Sequence, residues 1–135
     1  MDPRILRDCN VLAFRDQITF PESVKRMTEA GVERYCADLV RLEKYFYGAE
    51  GQTHVEALPL IDPPPIARAF SGSALKKALR AIQAGRIDYA EFLRRIMKAG
   101  VVYYDVFMGG RRAIYTGRDG DFHVEKFPRP KRSNS

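Results

Sequence analysis

The chain has 135 residues, of which 45% are hydrophobic and 30% are charged, the balance of a soluble globular protein with one domain. This length is too short for a two-domain cofactor enzyme, yet it allows a core without metal or disulfides. The formal net charge of +6 suggests a nucleic-acid partner, but four of these positive charges lie after Glu125, so the remainder of the chain is close to neutral.

Neither the N-terminus nor the cysteines predict export or a membrane. The first residues are charged where a signal peptide would be apolar, and no segment approaches the roughly 18 apolar residues of a membrane span. Cys9 and Cys36 are too few for a disulfide framework, and no Cys/His ladder has zinc spacing. We therefore expect a cytoplasmic protein with no membrane contact and no cofactor.

The chain repeats itself at an offset of 69 residues without a gap. Residues 28–59 match residues 97–128 at ten of 32 positions, and the identities include glycines and a His-Val-Glu triplet. Ungapped agreement at such positions indicates an internal duplication. We expect copies at 20–59 and 89–128, after an N-terminal extension at 1–19.

Each copy is predicted to begin with a capped helix. In the first copy, Thr19 and Glu22 form a capping-box pattern, and Gly31 suits the left-handed residue that ends a helix. The second copy carries the same signals at Asp88, Glu91 and Gly100.

Strands with alternating side chains follow each helix. Tyr35 and its counterpart Tyr104 mark the side predicted to face the core. Turn signals at Gly109-Gly110 and Asp119-Gly120 separate the strands of the second copy. The sequence therefore predicts an α+β fold with an antiparallel sheet, built from a duplicated helix-plus-strands unit.

Two segments lack a counterpart in this repeat. Residues 59–70 contain three consecutive prolines and predict an extended connector, after which Ser73 is predicted to cap an extra helix at 74–84 between the copies. Residues 129–135 are polar, basic and interrupted by proline, so we expect a disordered basic tail.

The repeated segments resemble a known family. With Ala30-Gly31-Val32, Asp38-Leu39-Val40, His54-Val55-Glu56 and the stretch from Glu91 to Val101, the chain resembles the YdfO-like proteins. These are small uncharacterised proteins of bacteria and prophages with a domain of unknown function. The resemblance implies an α+β fold and carries over no catalytic residue. The label of phage envelope protein, sometimes given to this family, disagrees with a sequence that has no membrane span, lipidation signal or export signal.

The two histidines of the chain occupy equivalent positions in the repeat. Strand alternation places His54 with Glu56, and His123 with Glu125, on one face each. If these faces converged, two imidazoles and two carboxylates could bind a metal or act as an acid/base pair. The alternative, which we expect, is a His-Glu contact on a partly solvated strand that was inherited twice.

Basic residues on the last two predicted helices form a second candidate site. If these helices lie side by side, they present a positive surface to an anion or a nucleic acid. Its contacts would be Lys76, Lys77, Arg80, Arg94 and Arg95. The alternative is a pair of ordinary solvated helix flanks.

No recognisable catalytic set accompanies these candidates. A likeness to a calcium loop at residues 80–91 fails because its first half lacks ligand oxygens. We therefore expect a non-enzymatic interaction or regulatory module that binds a protein partner or itself. Two alternatives stay open: a nucleic-acid-binding accessory protein that uses the basic helices and tail, and a small-molecule or metal site at the His/Glu strands.

Overall fold

The two halves of the chain repeat one order of elements in the computed structural model, which describes residues 1–128. The first half contains α1 (Pro3–Phe14), α2 (Phe20–Glu29), β1 (Val32–Asp38), β2 (Glu43–Gly48) and β3 (Thr53–Ala57). The second half contains α3 (Gly72–Gln83), α4 (Tyr89–Lys98), β4 (Val101–Phe107), β5 (Arg112–Gly117) and β6 (Phe122–Lys126). This confirms the predicted α+β fold, and the repeated layout supports an internal duplication.

The helix predicted as an extra element has a counterpart at the start of the chain. α1 and α3 have 12 residues each, and they begin 69 positions apart, at the offset of the sequence repeat. Leu6 and Leu75 are equivalent in them, and both are fully buried. The repeated unit therefore has two helices and includes residues that the sequence assigned to an N-terminal extension. Sequence comparison missed α1 because a helix on a core preserves its buried stripe rather than its identities.

The six strands form one antiparallel sheet in the order β3-β2-β1-β4-β5-β6. The halves join where β1 pairs with β4, and there Cys36 lies directly opposite Asp105. These two residues are themselves 69 positions apart. An approximate two-fold axis perpendicular to the sheet therefore passes between them, and β3 and β6 become the two outer edges.

Two helix starts follow the capping predictions. Thr19 Oγ1 accepts a hydrogen bond from the backbone N–H of Glu22 at 3.2 Å, and Asp88 Oδ1 accepts one from the N–H of Glu91 at 2.8 Å. Each cap satisfies a backbone donor that the first helical turn leaves free.

The prediction that Ser73 caps α3 was wrong. The helix begins at Gly72, and Ser71 Oγ accepts a hydrogen bond from the N–H of Ala74 at 3.2 Å. A capping side chain must precede the helix to reach the amides of its first turn, so Ser71 has this role and Ser73 lies inside the helix.

All four helices lie on one face of the sheet, and the core fills the space between them. Tyr35 and Tyr104 are buried there, which confirms the side of the strands that was predicted to face the core. Leu93 and Ile96 of α4 are fully buried in the same core. The opposite face of the sheet has no helix among the described residues.

The connector between the halves runs along α4 without forming a helix or a strand. The N–H of Ala67 donates to the carbonyl of Met97 at 3.0 Å, and the N–H of Ser71 donates to the carbonyl of Ala99 at 2.8 Å. The predicted tail at 129–135 lies outside the described residues. Within residues 1–128, no helix is long and apolar enough to cross a membrane.

Candidate functional site

The two His/Glu pairs lie at opposite edges of the sheet. His54 and Glu56 belong to β3, whereas His123 and Glu125 belong to β6. Five strand spacings of roughly 4.8 Å place these edges about 24 Å apart. A shared ion would need each imidazole nitrogen at roughly 2.0–2.1 Å, so the pairs do not form one site within a chain. Among residues 1–128, no group of three or more ligating side chains that could hold a metal is present.

Each pair makes a local contact on the helix-covered face. His54 Nε2 lies 2.7 Å from Glu56 Oε2, and His123 Nε2 lies 3.1 Å from Glu125 Oε1. Arg7 of α1 approaches Glu56 at 3.7 Å. The structure thus places these residues where an edge strand meets a helix.

Glu125 links α3 to the edge strand β6. Its Oε2 atom accepts hydrogen bonds from Arg80 at 2.8 Å and from Gln83 at 2.9 Å. Burial raises the pKa of Glu125, but the hydrogen bonds from Gln83, Arg80 and His123 outweigh burial and lower this pKa below its ordinary value of 4.5. The ionised carboxylate therefore has a structural role, because it holds a helix against the sheet.

Three of the five basic residues predicted to contact an anion are bound to other groups of the chain. Arg80 is held by the contact with Glu125. Arg94 Nη2 donates to the carbonyl of Ile61 at 2.9 Å, and Arg95 Nε donates to a carboxylate oxygen of Glu91 at 3.2 Å. These guanidinium groups have fewer free donors for an external phosphate.

Lys76 and Lys77 remain as free cations of this group. Both lie on exposed positions of α3, and neither makes an ion pair within the described part of the chain. Two neighbouring lysines on a convex helix attract anions without defining a shaped site.

A larger feature is the side of the sheet that faces away from the helices, called here the open face. Every second side chain of each strand belongs to it. In sheet order, its members are Thr53, Val55 and Ala57; Glu43, Tyr45 and Tyr47; Arg34, Cys36 and Asp38; Tyr103, Asp105 and Phe107; Arg112, Ile114 and Thr116; and Phe122, Val124 and Lys126.

The open face is rich in apolar and aromatic side chains. They occupy ten of its 18 positions. Four of them are substantially exposed: Val55 at 43%, Tyr103 at 39%, Phe122 at 66% and Val124 at 37%. A solvated sheet face normally carries polar side chains, and a contiguous apolar patch marks an interaction surface.

An ion pair lies at the centre of this face. Arg34 Nη1 is 2.7 Å from Asp105 Oδ1, and the guanidinium carbon of Arg34 lies 4.2 Å from the ring centre of Tyr47. Burial, together with the charges of Asp105 and Asp38, raises the pKa of the neighbouring Cys36 thiol to about 12. The face contains three acidic and three basic side chains in all, so its net charge is zero.

Sequence reasoning missed the open face although a signal for it was present. Alternation was used to find the core side of each strand, and the other side was taken as solvated. In Tyr45-Phe46-Tyr47, however, both sides of β2 are aromatic. A strand with one buried face does not need this pattern, so it was a signal in the sequence that the second face is apolar as well.

Lys44 places a charge inside the helix-covered core, where its side chain is 5% exposed. Its Nζ atom lies 4.9 Å from the ring centres of both Tyr35 and Tyr89. Burial is the main cause that raises the pKa values of Tyr35 and of Tyr104, which hydrogen-bonds to Tyr89. The cation–π contacts offset part of the cost of burying the ammonium group. The equivalent position in the second half is Ala113, so this arrangement belongs to one half alone.

Similar proteins are known from mycobacteria. The uncharacterized proteins Rv2012 of Mycobacterium tuberculosis and Mb2035 of Mycobacterium bovis are each 31% identical to this chain over 108 residues. The match covers 80% of this chain and 66% of each relative, just under two thirds of their length. Residues 15–126, most of the chain, match the family described as "Protein of unknown function (DUF1398)". The chain therefore belongs to this family.

Proposed function

We propose that this protein is a non-enzymatic interaction module that pairs with a second copy of itself through the open face. The observation that carries the proposal is an entire face of a six-stranded sheet that is more than half apolar and has no helix over it among residues 1–128. Removal of such surface from water favours association.

The size of the open face fits an interface between two copies. Six strands spaced by roughly 4.8 Å, with about five residues each, cover roughly 500 Å² per copy. Two stacked faces would therefore bury about 1,000 Å², the lower limit of a biological interface. We expect a reversible dimer rather than a permanent one.

The charges of the open face favour a second copy over a nucleic acid. A phosphate backbone requires a net positive surface, whereas this face is neutral overall. Arg34 is already neutralised by Asp105 and stacked on Tyr47, so it can enter an interface without an unpaired charge.

The oligomeric state of the full chain tests the proposal. Size-exclusion chromatography with light scattering should give twice the chain mass at high protein concentration and a lower mass on dilution. Val124→Lys should give a monomer at every concentration, because a charge would be placed in the apolar interface. Val124 is partly exposed in the single chain, so we expect this variant to fold.

Ile61→Lys is the matched control. Ile61 is 73% exposed but lies on the connector, away from the open face, so this variant should dimerise like the wild type. Circular dichroism checks that both variants are folded. A wild-type protein that is monomeric at all concentrations, or a dimer that survives in folded Val124→Lys, would overturn the proposal.

Nucleic-acid binding by the basic helices and tail is the second candidate function. Exposed Lys76 and Lys77 support it. In that case, RNA or DNA should bind with an affinity that falls as salt rises, and replacement of both lysines by glutamate should weaken binding and reduce the salt slope. If the protein shows no salt-sensitive binding of RNA or DNA, this candidate function is ruled out.

The narrower family and the location of the protein are also proposals. The YdfO-like assignment and its prophage origin rest on the sequence resemblance alone. A cytoplasmic location is supported by Cys9 and Cys36, which are free thiols in the structure, as expected in a reducing compartment.

A further inference from the structure

We infer that Asp38 of each copy forms an ion pair with the partner's Arg34, because the two copies stack about a two-fold axis that runs across the strands. This inference rests on the proposed function and adds the contacts that hold the pair in one orientation. It is carried by the charges of the open face on β1 and β4, the two strands at its centre.

The strand register fixes where these charges lie. Across β1 and β4, the open face has Arg34 opposite Phe107, Cys36 opposite Asp105, and Asp38 opposite Tyr103. Arg34 and Asp38 therefore lie at the two ends of β1, and Asp105 lies at the middle of β4. Successive side chains on one face of a strand are roughly 6.8 Å apart, so the two charges of β1 are separated by about 14 Å.

The central strands decide how two copies can stack. Aligned sheets pack about 10 Å apart and are rotated by about 30° relative to each other, with the two-fold axis close to either the strand direction or its perpendicular. This rotation shifts the outer strands, roughly 12 Å from the centre, by about 6 Å, which is nearly the distance between successive side chains of one face. On β1 and β4 the shift is at most about 4 Å, so contacts between these strands keep their partners.

An axis along the strands would bring like charges together. It places β1 over the partner's β4 and keeps the position along the strand, so every residue of β1 lies one strand spacing, roughly 4.8 Å, to the side of its own copy. Arg34 would approach the partner's Arg34, and Asp38 would approach the partner's Asp38. Asp105 would approach its own copy in the same way. Three like-charge approaches in a desolvated interface are unfavourable.

An axis across the strands brings opposite charges together instead. It places β1 over the partner's β1 in the reverse direction, so Asp38 lies over the partner's Arg34, and by symmetry the contact occurs twice. Asp38 Oδ1 accepts hydrogen bonds from the backbone N–H groups of Val40 and Arg41, each at 3.0 Å. These bonds use one carboxylate oxygen, so the other can accept from the partner's guanidinium group.

The contacts of β4 are compatible with this axis. Tyr103 lies over the partner's Phe107, which suits an aromatic pair. The one like-charge contact is that of Asp105 with the partner's Asp105. Each of these carboxylates lies 2.7 Å from Arg34 of its own chain, so the contact joins two ion pairs rather than two isolated charges. The charges therefore favour the axis across the strands.

Crosslinking of the edge strands distinguishes the two axes. Val55→Cys and Val124→Cys are prepared as separate full-length proteins in a Cys36→Ser background, in which the remaining Cys9 is buried. With the axis across the strands, each edge strand lies over the same strand of the partner at about 12 Å, within the reach of roughly 13 Å of a flexible bis-maleimide. Each protein alone should therefore give a band of twice the chain mass.

A mixture of the two proteins provides the opposite outcome. With the axis along the strands, the thiols of a single variant would be about 24 Å apart, and only the mixture would crosslink. That result would overturn the inferred axis while leaving the proposed function intact. A dimer by light scattering without any crosslink would overturn both, because the interface would lie elsewhere. Ile61→Cys alone is the control, and it should give no crosslinked dimer.

Asp38→Asn tests the ion pair itself. Asparagine keeps the oxygen that accepts from Val40 and Arg41 but removes the charge that faces the partner's Arg34. Because two ion pairs are lost from each dimer, we expect its dissociation constant to rise about tenfold, measured by light scattering on dilution. With the other axis, the substitution would relieve a repulsion and tighten the dimer. An unchanged or smaller dissociation constant would therefore overturn the inferred pairing.

Discussion

Alanine substitutions at Gly31 and Gly100 form a matched pair that separates backbone strain from steric overlap. The two glycines are equivalent in the repeat, and each follows a helix with a positive φ, +95° and +91° respectively. A side chain in left-handed backbone costs roughly 1–2 kcal/mol, and this cost applies to both variants.

Only Gly100 adds a steric cost. A Cβ atom there would lie 2.4 Å from the carbonyl oxygen of Ala69 and 2.9 Å from Cα of Phe70, whereas at Gly31 the nearest atom is Cγ of Met1 at 3.9 Å. The chain next to these atoms is fixed, because the N–H of the following Ser71 is bound to α4. Forcing atoms into packed structure costs about 1–3 kcal/mol.

We therefore expect Gly31→Ala to lower the free energy of unfolding by about 1–2 kcal/mol and Gly100→Ala to lower it by about 2–5 kcal/mol. Urea titration followed by circular dichroism measures both values. All samples need the same protein concentration, because dimerisation would add to the apparent stability. Losses that agree within about 0.5 kcal/mol would refute the steric argument, because the overlap with Ala69 and Phe70 at Gly100 would then add nothing to the cost of the left-handed backbone.

Three further predictions concern ionisable groups. Because the folded pKa of Glu125 lies below 4.5, its ionised form stabilises the fold above that pH, and this contribution is lost as pH falls through the folded value. Urea titrations should show Glu125→Gln less stable than wild type near neutral pH, with a difference that shrinks in acid. Iodoacetamide should alkylate Cys36 slowly in a monomeric open-face variant, because burial and the charge of Asp105 raise the thiol pKa. Asp105→Asn should speed the reaction by roughly threefold for each unit by which that pKa falls, since the gain in thiolate is partly offset by its lower nucleophilicity. An unchanged rate would contradict the contribution of the Asp105 charge. Added Zn²⁺ should leave the melting temperature of the wild type, His54→Ala and His123→Ala unchanged, because the two histidines lie on opposite edges of the sheet. If Zn²⁺ raised the melting temperature of the wild type but not that of either variant, the shared metal site would be supported after all.

The sequence by itself determined the local structure of this protein. Thr19 and Asp88 begin helices because a side-chain oxygen satisfies an amide in the following turn, and this requirement is visible within four residues. Alternation identified the buried side of β1 and β4 because it reflects strand geometry alone. The antiparallel α+β fold follows from these local signals and from the ungapped repeat.

Local signals were insufficient where a residue's role depends on its neighbours in space. α1 went unassigned because its resemblance to α3 lies in a buried stripe, which becomes visible only against the core. The open face was missed because side chains such as Tyr45 and Ile114 show that the second side of a strand is apolar, but not whether a helix covers that side. Only the position of all four helices on one face reveals that the other face is uncovered among the described residues.

Tertiary structure also decided whether equivalent residues meet. A repeat says which residues correspond, but the distance between them depends on how far each lies from the axis that relates the halves. Cys36 and Asp105 lie beside that axis and face each other directly. His54 and His123 lie on the outermost strands, so the same symmetry that makes them equivalent holds them about 24 Å apart.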